Sequence, residues 1–174
     1  MTKVLVSDPI DQSGIEILSQ VSQVDQRIGL SSEELIGIIG GYDALMIRSG
    51  TQVTSEVIEV AEKLRIIGRA GVGVDNVDIP AATAAGIVVM NTPFGNSITT
   101  AEHAIAMMFA LARQIPEASA STHAGKWEKN RFMGVELTAK TLGVIGCGNI
   151  GGIAASRGVG LRMNVIAFDP FLSV

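Results

Sequence analysis

TLGVIGCGNIGG, Thr141 to Gly152, is the stretch on which the reading of this chain turns. Leu142 to Ile145 is a short apolar run. Gly146, Gly148 and Gly151 follow it in G-x-G-x-x-G spacing, and Asp169 closes the next apolar run. A buried strand, a glycine turn and a helix start in that order form the layout of a dinucleotide-binding βαβ unit. Each position has a physical task. Gly146 permits the tight turn, Gly148 lets backbone approach a pyrophosphate, and Gly151 lets the helix pack close to the strand. The helix N-terminus then offers unpaired N–H groups and the positive end of its dipole. Asp169 would accept hydrogen bonds from the ribose hydroxyls and repel a 2′-phosphate, which favours NAD over NADP. A tight strand–helix turn without a ligand would use the same glycines. The acid one strand later separates the two readings.

Working outward, the totals remove several function classes. The formal net charge is −4, with no basic block, which argues against nucleic acid or an anionic membrane as partner. No apolar run approaches the roughly 20 residues of a membrane helix. The densest, Ala104 to Ala112, is too short, and MTKVLVSDP meets charged and turn residues too early for a signal peptide. The one cysteine, Cys147, rules out an internal disulfide and agrees with a reducing compartment, so cytoplasm is expected. No metal-ligand spacing or nucleophile elbow is present.

Upstream of the fingerprint, strands and helices alternate. Lys3–Asp8, Val24–Ile28, Ala44–Arg48, Leu64–Ala70 and Ile87–Met90 read as strands. Helices are expected over Asp11–Val21, after the capping box Ser31–Glu34, after Thr54 or Ser55, and over Ile79–Ala85 with Gly86 as the stop. That alternation predicts an α/β fold with a parallel sheet covered on both faces. The first domain is assigned to residues 1–95 and the second to 96–174. Asn96 or Ser97 caps a long helix carrying Ile98, Ala101, Ile105, Met108, Phe109, Ala112 and Ile115, wide enough in its apolar face to need more than one neighbour. Pro116 should kink it or start a new segment. Ser119–Lys140, with the only tryptophan, Trp127, reads as a surface excursion, and the second sheet starts at Leu142.

Three further places could carry chemistry. Arg48 and Ser49 stand at the C-terminal end of the third strand, the edge where open α/β sheets bind ligands. A guanidinium there suits a phosphate or carboxylate, and a surface ion pair is the plain alternative. GRAGVGVDNVD, Gly68 to Asp78, is a second glycine-rich turn whose backbone N–H groups could hold a carboxylate. Asn96 is either a helix cap or a ligand-facing amide. His103, His123 and Cys147 read as a helix-surface group, a loop group and a small packing residue.

KVLVSDPID, IRSGTQVT, GRAGVGVDNVD, NTPFGNS with AEH, GKWEKNRFMGVEL and TLGVIGCGNIG, in this order, resemble the D-isomer-specific 2-hydroxyacid dehydrogenases. The resemblance runs over essentially the whole chain. It implies a flavodoxin-like substrate domain, followed by the first βαβ of a Rossmann domain, with the active site in the cleft between them. It implies NAD-linked oxidation of 3-phosphoglycerate to 3-phosphohydroxypyruvate, at the start of serine biosynthesis. Another 2-hydroxy acid, as in glyoxylate reductase, and a non-enzymatic NAD-binding or dimerising module stay open. Carried over by position, Arg48 and Ser49 match substrate-anion contacts. The backbone around Val72 and Gly73 matches the carboxylate site, and Val72 also lies beside the nicotinamide. Asn96 matches a substrate-facing residue. Gly146, Gly148, Asn149, Ile150 and Gly151 match the pyrophosphate turn, and Asp169 the ribose acid. The long helix and the Trp127 segment imply a homodimer. The family's catalytic arginine, glutamate and histidine fall beyond Val174, so this chain is expected to be an inactive fragment, poorly supported from Leu142 onward without a partner. The family's usual glycine before Met163 is Arg162 here, and Gly158 and Gly160 predict a helix that frays or stops early.

Overall fold

Helices begin where the sequence supplies a cap. The computed structural model describes residues 1–171. In the first unit the elements are β1 (Lys3–Val6), α1 (Gln12–Ser19), β2 (Gln23–Gln26), α2 (Ser32–Ile39), β3 (Ala44–Ile47), α3 (Ser55–Glu59), β4 (Ile66–Arg69), α4 (Ile79–Ala84) and β5 (Val88–Asn91). The Asp11 carboxylate accepts from the Ser13 N–H at 2.9 Å and opens α1. Ser31 and Glu34 complete a reciprocal capping box at α2, at 3.2 and 2.8 Å. Asp78 accepts from the Ala81 N–H at 2.9 Å, and Pro80 sits in the first turn of α4. β1, β2 and β3 are one or two residues shorter than the apolar runs suggest, β4 is three shorter, β2 starts one residue earlier, at Gln23, and β5 is shifted one residue on, to Val88–Asn91.

All five strands are parallel in the order β2-β1-β3-β4-β5, the flavodoxin-like order. Side-chain alternation divides the core between the two faces. Leu5, Leu45, Ile47 and Ile67 pack with Leu35, Ile39 and Val57 under α2 and α3. Val4, Val6, Ala44 and Met46 turn the other way, against Ile15 and Leu18 of α1. On that second face Ile66, Val88 and Met90 stay exposed, beside an apolar hollow of about 420 Å³.

The chain divides into two compact units, Met1–Gly95 and Asn96–Val174. The second contains α5 (Ser97–Arg113), α6 (Ile115–His123), β6 (Thr141–Ile145), α7 (Asn149–Gly160) and β7 (Asn164–Phe168). β6 and β7 pair in parallel from Thr141↔Asn164 to Ile145↔Phe168, with α7 as the crossover and α5 packed against α7. Leu142, Val144 and Val165 face α7, whereas Ile145, Ile166 and Phe168 lie on the uncovered face.

Three expectations are corrected here. First, Ser119–His123 is helix, not excursion. Gln114 takes a left-handed conformation (φ 52°), ends α5, and lets Pro116 open α6 in its first turn, where a missing N–H costs nothing. Second, α5 buries only Ser97 and Ala101, and Met107 and Leu111 are exposed. Third, α7 runs unfrayed through Gly160. Gly158 is buried on the sheet, where a Cβ would come within 2.7 Å of Leu142 Cδ2, so this glycine serves close packing. The helix then closes with the Arg162 N–H donating to the Val159 carbonyl (2.9 Å) and the Met163 N–H to the Gly158 carbonyl (3.1 Å). That is a Schellman closure, with Arg162 (φ 60°) where glycine is favoured. Among the described residues no helix is long and apolar enough to cross a membrane.

Candidate functional site

At the C-terminal edge of the first sheet, β3 delivers Arg48 and Ser49 and β4 delivers the glycine-rich turn. Two buried side chains grip the Arg48–Thr51 loop from opposite sides. The Asp8 carboxylate accepts from the Arg48 N–H at 2.6 Å and the Thr51 N–H at 3.1 Å. The Asn76 amide donates to the Arg48 carbonyl and to the Thr51 carbonyl, both at 2.7 Å. The Ser7 and Thr51 hydroxyls meet at 2.9 Å, and Arg69 Nε donates to Asn76 Oδ1 at 3.4 Å. Gly50 is needed for this fit, because a Cβ there would stand 2.6 Å from Asp8 Oδ1.

The loop is therefore fixed, while the groups it presents stay free. Arg48 and Ser49 are exposed. The Arg48 guanidinium has one weak contact, Nη1 to the Pro9 carbonyl at 3.5 Å, and no ion pair among the described residues. The surface-ion-pair alternative is not realised. Beside it lies a hollow of about 460 Å³ lined by Pro9, Ile10, Asp11, Arg48 and Ala70. Val72 and Gly73 lie in the adjoining turn, which Asn91 holds by donating to the Val72 carbonyl at 2.7 Å. Arg48, Ser49, Val72 and Gly73 thus share one sheet edge.

Sequence reasoning missed Asp8, Thr51 and Asn76 as parts of this edge. Asp8-Pro9 reads as a turn marker, and Asn76 as a member of a glycine-rich run. Only pairing across the sheet brings residues so far apart in the chain together.

In the second unit, the three fingerprint glycines have separable roles. Gly146 adopts φ 90°, which side chains rarely tolerate. A Cβ on Gly151 would run into the Gly146 carbonyl. Gly148 needs neither excuse: its φ is −64°, and a Cβ there would meet no heavy atom within 4 Å. Gly148 is the N-cap of α7, and Asn149, Ile150 and Gly151 follow with first-turn N–H groups that have no intrahelical acceptor. Asp169 reaches across the turn, accepting from the Cys147 N–H at 2.6 Å and the Phe171 N–H at 2.9 Å. The Phe171 N–H first, and the Cys147 N–H second, hold its carboxyl below the ordinary aspartate value, so it is an anion at neutral pH. It is both the marker of an Asp-Pro turn and a brace of the glycine turn.

Asn96 occupies the N-cap of α5 without a side-chain cap bond, and Ser97 Oγ is buried without a partner. His103 is exposed on α5. His123 Nδ1 lies 2.9 Å from the Ser119 carbonyl one turn back. Among the described residues no group of three His, Cys, Asp or Glu could hold a metal.

A parallel 2-1-3-4-5 sheet followed by a fingerprint βαβ is the arrangement that the family model for the D-isomer specific 2-hydroxyacid dehydrogenase catalytic domain matches, over residues 4–172. The chain belongs to the D-isomer-specific 2-hydroxyacid dehydrogenase family. Within it, the chain is 57% identical over 173 residues to the D-3-phosphoglycerate dehydrogenase of Synechocystis sp., covering 99% of this chain and 31% of that relative. It spans about a third of the length of the curated relatives it matches. Among solved structures it is similar to the TT0316 protein of Thermus thermophilus (TM-score 0.87, 30% identity, 95% of this chain and 55% of that one). It is also similar to the NAD+-bound 3-phosphoglycerate dehydrogenase of Entamoeba histolytica (TM-score 0.78, 33% identity, 99% and 55%).

Proposed function

We propose that this chain carries the substrate-anchoring unit and the opening turn of the NAD site of a 3-phosphoglycerate dehydrogenase. Bound there, NAD supplies the hydride acceptor for oxidation of the C2 hydroxyl. The observation that carries the cofactor reading is Gly148. Neither backbone conformation nor packing requires a glycine there, and its bare face adjoins the free N–H groups of α7. Gly146 and Gly151 shape the turn, Asn149 and Ile150 offer N–H groups to the pyrophosphate, and the Asp169 anion takes the ribose hydroxyls through its remaining lone pairs. In the first unit the free Arg48 guanidinium and Ser49 hydroxyl bind the substrate anion, and the backbone at Val72 and Gly73 binds its carboxylate. Val72 also serves the nicotinamide end, and Asn96 the substrate. The sequence identity to phosphoglycerate dehydrogenases supports a phosphorylated 2-hydroxy acid over other members of the family. We assign proton transfer to no residue of this chain.

A homodimer is part of the same reading. Ile98, Met107, Leu111, Trp127 and Met133 are exposed in the second unit, more large apolar surface than a lone helical face carries comfortably in water. Sedimentation of the chain and of Leu111→Glu checks it: a dimer that becomes a monomer is expected, and a wild-type monomer at all concentrations refutes it.

Gly148→Ala tests the cofactor reading. A methyl group there touches nothing in the protein and costs about 1 kcal/mol or less as a poorer N-cap. NAD binding, followed by calorimetric titration, should nevertheless fall beyond detection. Unchanged NAD binding by a folded Gly148→Ala protein would refute the site.

A further inference from the structure

We infer that Asp8 and Asn76 are positioning residues for substrate binding, acting through the Arg48–Thr51 loop; this rests on the substrate reading of Arg48. Between them the two side chains take the N–H and the C=O of both Arg48 and Thr51, four backbone groups in all. Both are 5% exposed, so water does not compete for these bonds. Ser49 and Gly50, the residues in between, are left to face solvent.

Such a grip exceeds what a sheet corner needs. A corner requires its buried polar groups to be satisfied, and ordinary turn bonds would satisfy them. Here the acceptor comes from the end of β1, and the donor from the glycine-rich turn after β4. Asn76 is used fully: both amide hydrogens go to the loop, and its oxygen accepts from Arg69. Its backbone carbonyl also accepts from the Val53 N–H at 2.8 Å, which ties the exit of the same loop. One residue thus sets the spacing between the Arg48 edge and the turn that holds Val72 and Gly73. A substrate carrying two anionic groups meets both edges at once, and ordering the loop on binding would subtract from affinity, so fixing that spacing beforehand favours binding.

The experiment is a 3-phosphoglycerate titration of the full 174-residue chain, followed by the backbone amide resonances of Ser49 and Gly73. Asn76→Ala and Asp8→Ala should each weaken binding about ten- to a hundred-fold. Asp8→Asn keeps an acceptor for the two N–H groups and should bind within about three-fold of wild type. In an Arg48→Ala background, Asn76→Ala should weaken binding by a smaller factor than in wild type, because one of the groups that the held loop presents is gone. The inference is overturned if Asp8→Asn weakens binding as much as Asp8→Ala does. It is equally overturned if Asn76→Ala weakens binding by the same factor with and without Arg48, as a merely structural role would. Should Asn76→Ala not fold, the contrast between Asp8→Asn and Asp8→Ala decides alone. Failure of the substrate reading looks different: Arg48→Ala would then leave 3-phosphoglycerate binding untouched.

Discussion

The two units use the same parts, parallel strands joined through helices, but they cover them differently. In the Met1–Gly95 unit seventeen apolar side chains are buried, from Val4 to Ile87; among the described residues of the other unit only Ala101, Val144 and Met163 are. The first unit's sheet has α2 and α3 on one face and α1 on the other. The second unit's two strands have α7 on one face only, so Ile145, Ile166 and Phe168 meet solvent. Strain is divided in the same direction. Among the described residues, the non-glycine ones with positive φ are Gln114, Ala139 and Arg162, all in the second unit. The difference teaches that a nucleotide fingerprint is a local device. Three glycines and an aspartate build the turn from a few residues, whereas burial needs cover on both faces of a sheet.

The sharpest way to break this contrast is Gly151→Ala. A methyl group would occupy the position of the Gly146 carbonyl, so the turn cannot form around it. We expect a loss of more than about 4 kcal/mol, confined to the second unit. Hydrogen exchange should show β6 and α7 amides unprotected, with β1 and β3 still protected; loss of protection in both units would show that they are not independent. Next in size is Leu45→Ala, which deletes a core side chain that is 1% exposed between β3 and its covering helices. About 2–5 kcal/mol should be lost in chemical denaturation, from the first unit alone. A cost below 1 kcal/mol would mean that its core is looser than its burial indicates.

Arg162→Gly should act the other way. It relieves a side chain held at φ 60° in the Schellman closure, so about 1 kcal/mol of stability should be gained in the second unit. No gain would argue that this closure is not maintained in solution. Ile166→Thr, on the uncovered sheet face, should change stability by less than about 0.5 kcal/mol, unless a partner covers that face in solution.

The smallest effect concerns pH. The Asp169 carboxyl titrates below its ordinary value of about 3.9, because the Phe171 and Cys147 N–H groups favour the anion. Its folded value lies below its unfolded one. The contribution is therefore complete above about pH 4 and is lost as pH falls through the folded value. The Cys147 amide resonance should report a midpoint below 3.9, and a midpoint at or above it would show that this brace is absent.

Much of the frame was legible beforehand, for identifiable reasons. Ser31 and Glu34, and the glycine triplet, act within a few residues of themselves, so their geometry is written where they stand. Pro116 likewise announced a new segment. The helical state of Ser119–His123 was not legible, because polar residues on an exposed helix give no periodic signal. Gly158 looked like a helix breaker until its close approach to Leu142 gave it a reason.

Sequence alone determined the alternation of elements, the turn at Gly146–Gly151 and the acid at Asp169, since each rests on local backbone chemistry or a fixed spacing. Only the tertiary structure decided that Asp8 and Asn76 close on the Arg48 loop. Those residues are separated by 40 and 28 positions from Arg48, and nothing in a linear pattern records which strands will lie side by side. It also decided which apolar residues become core, because burial belongs to the faces that helices cover and not to the residues themselves.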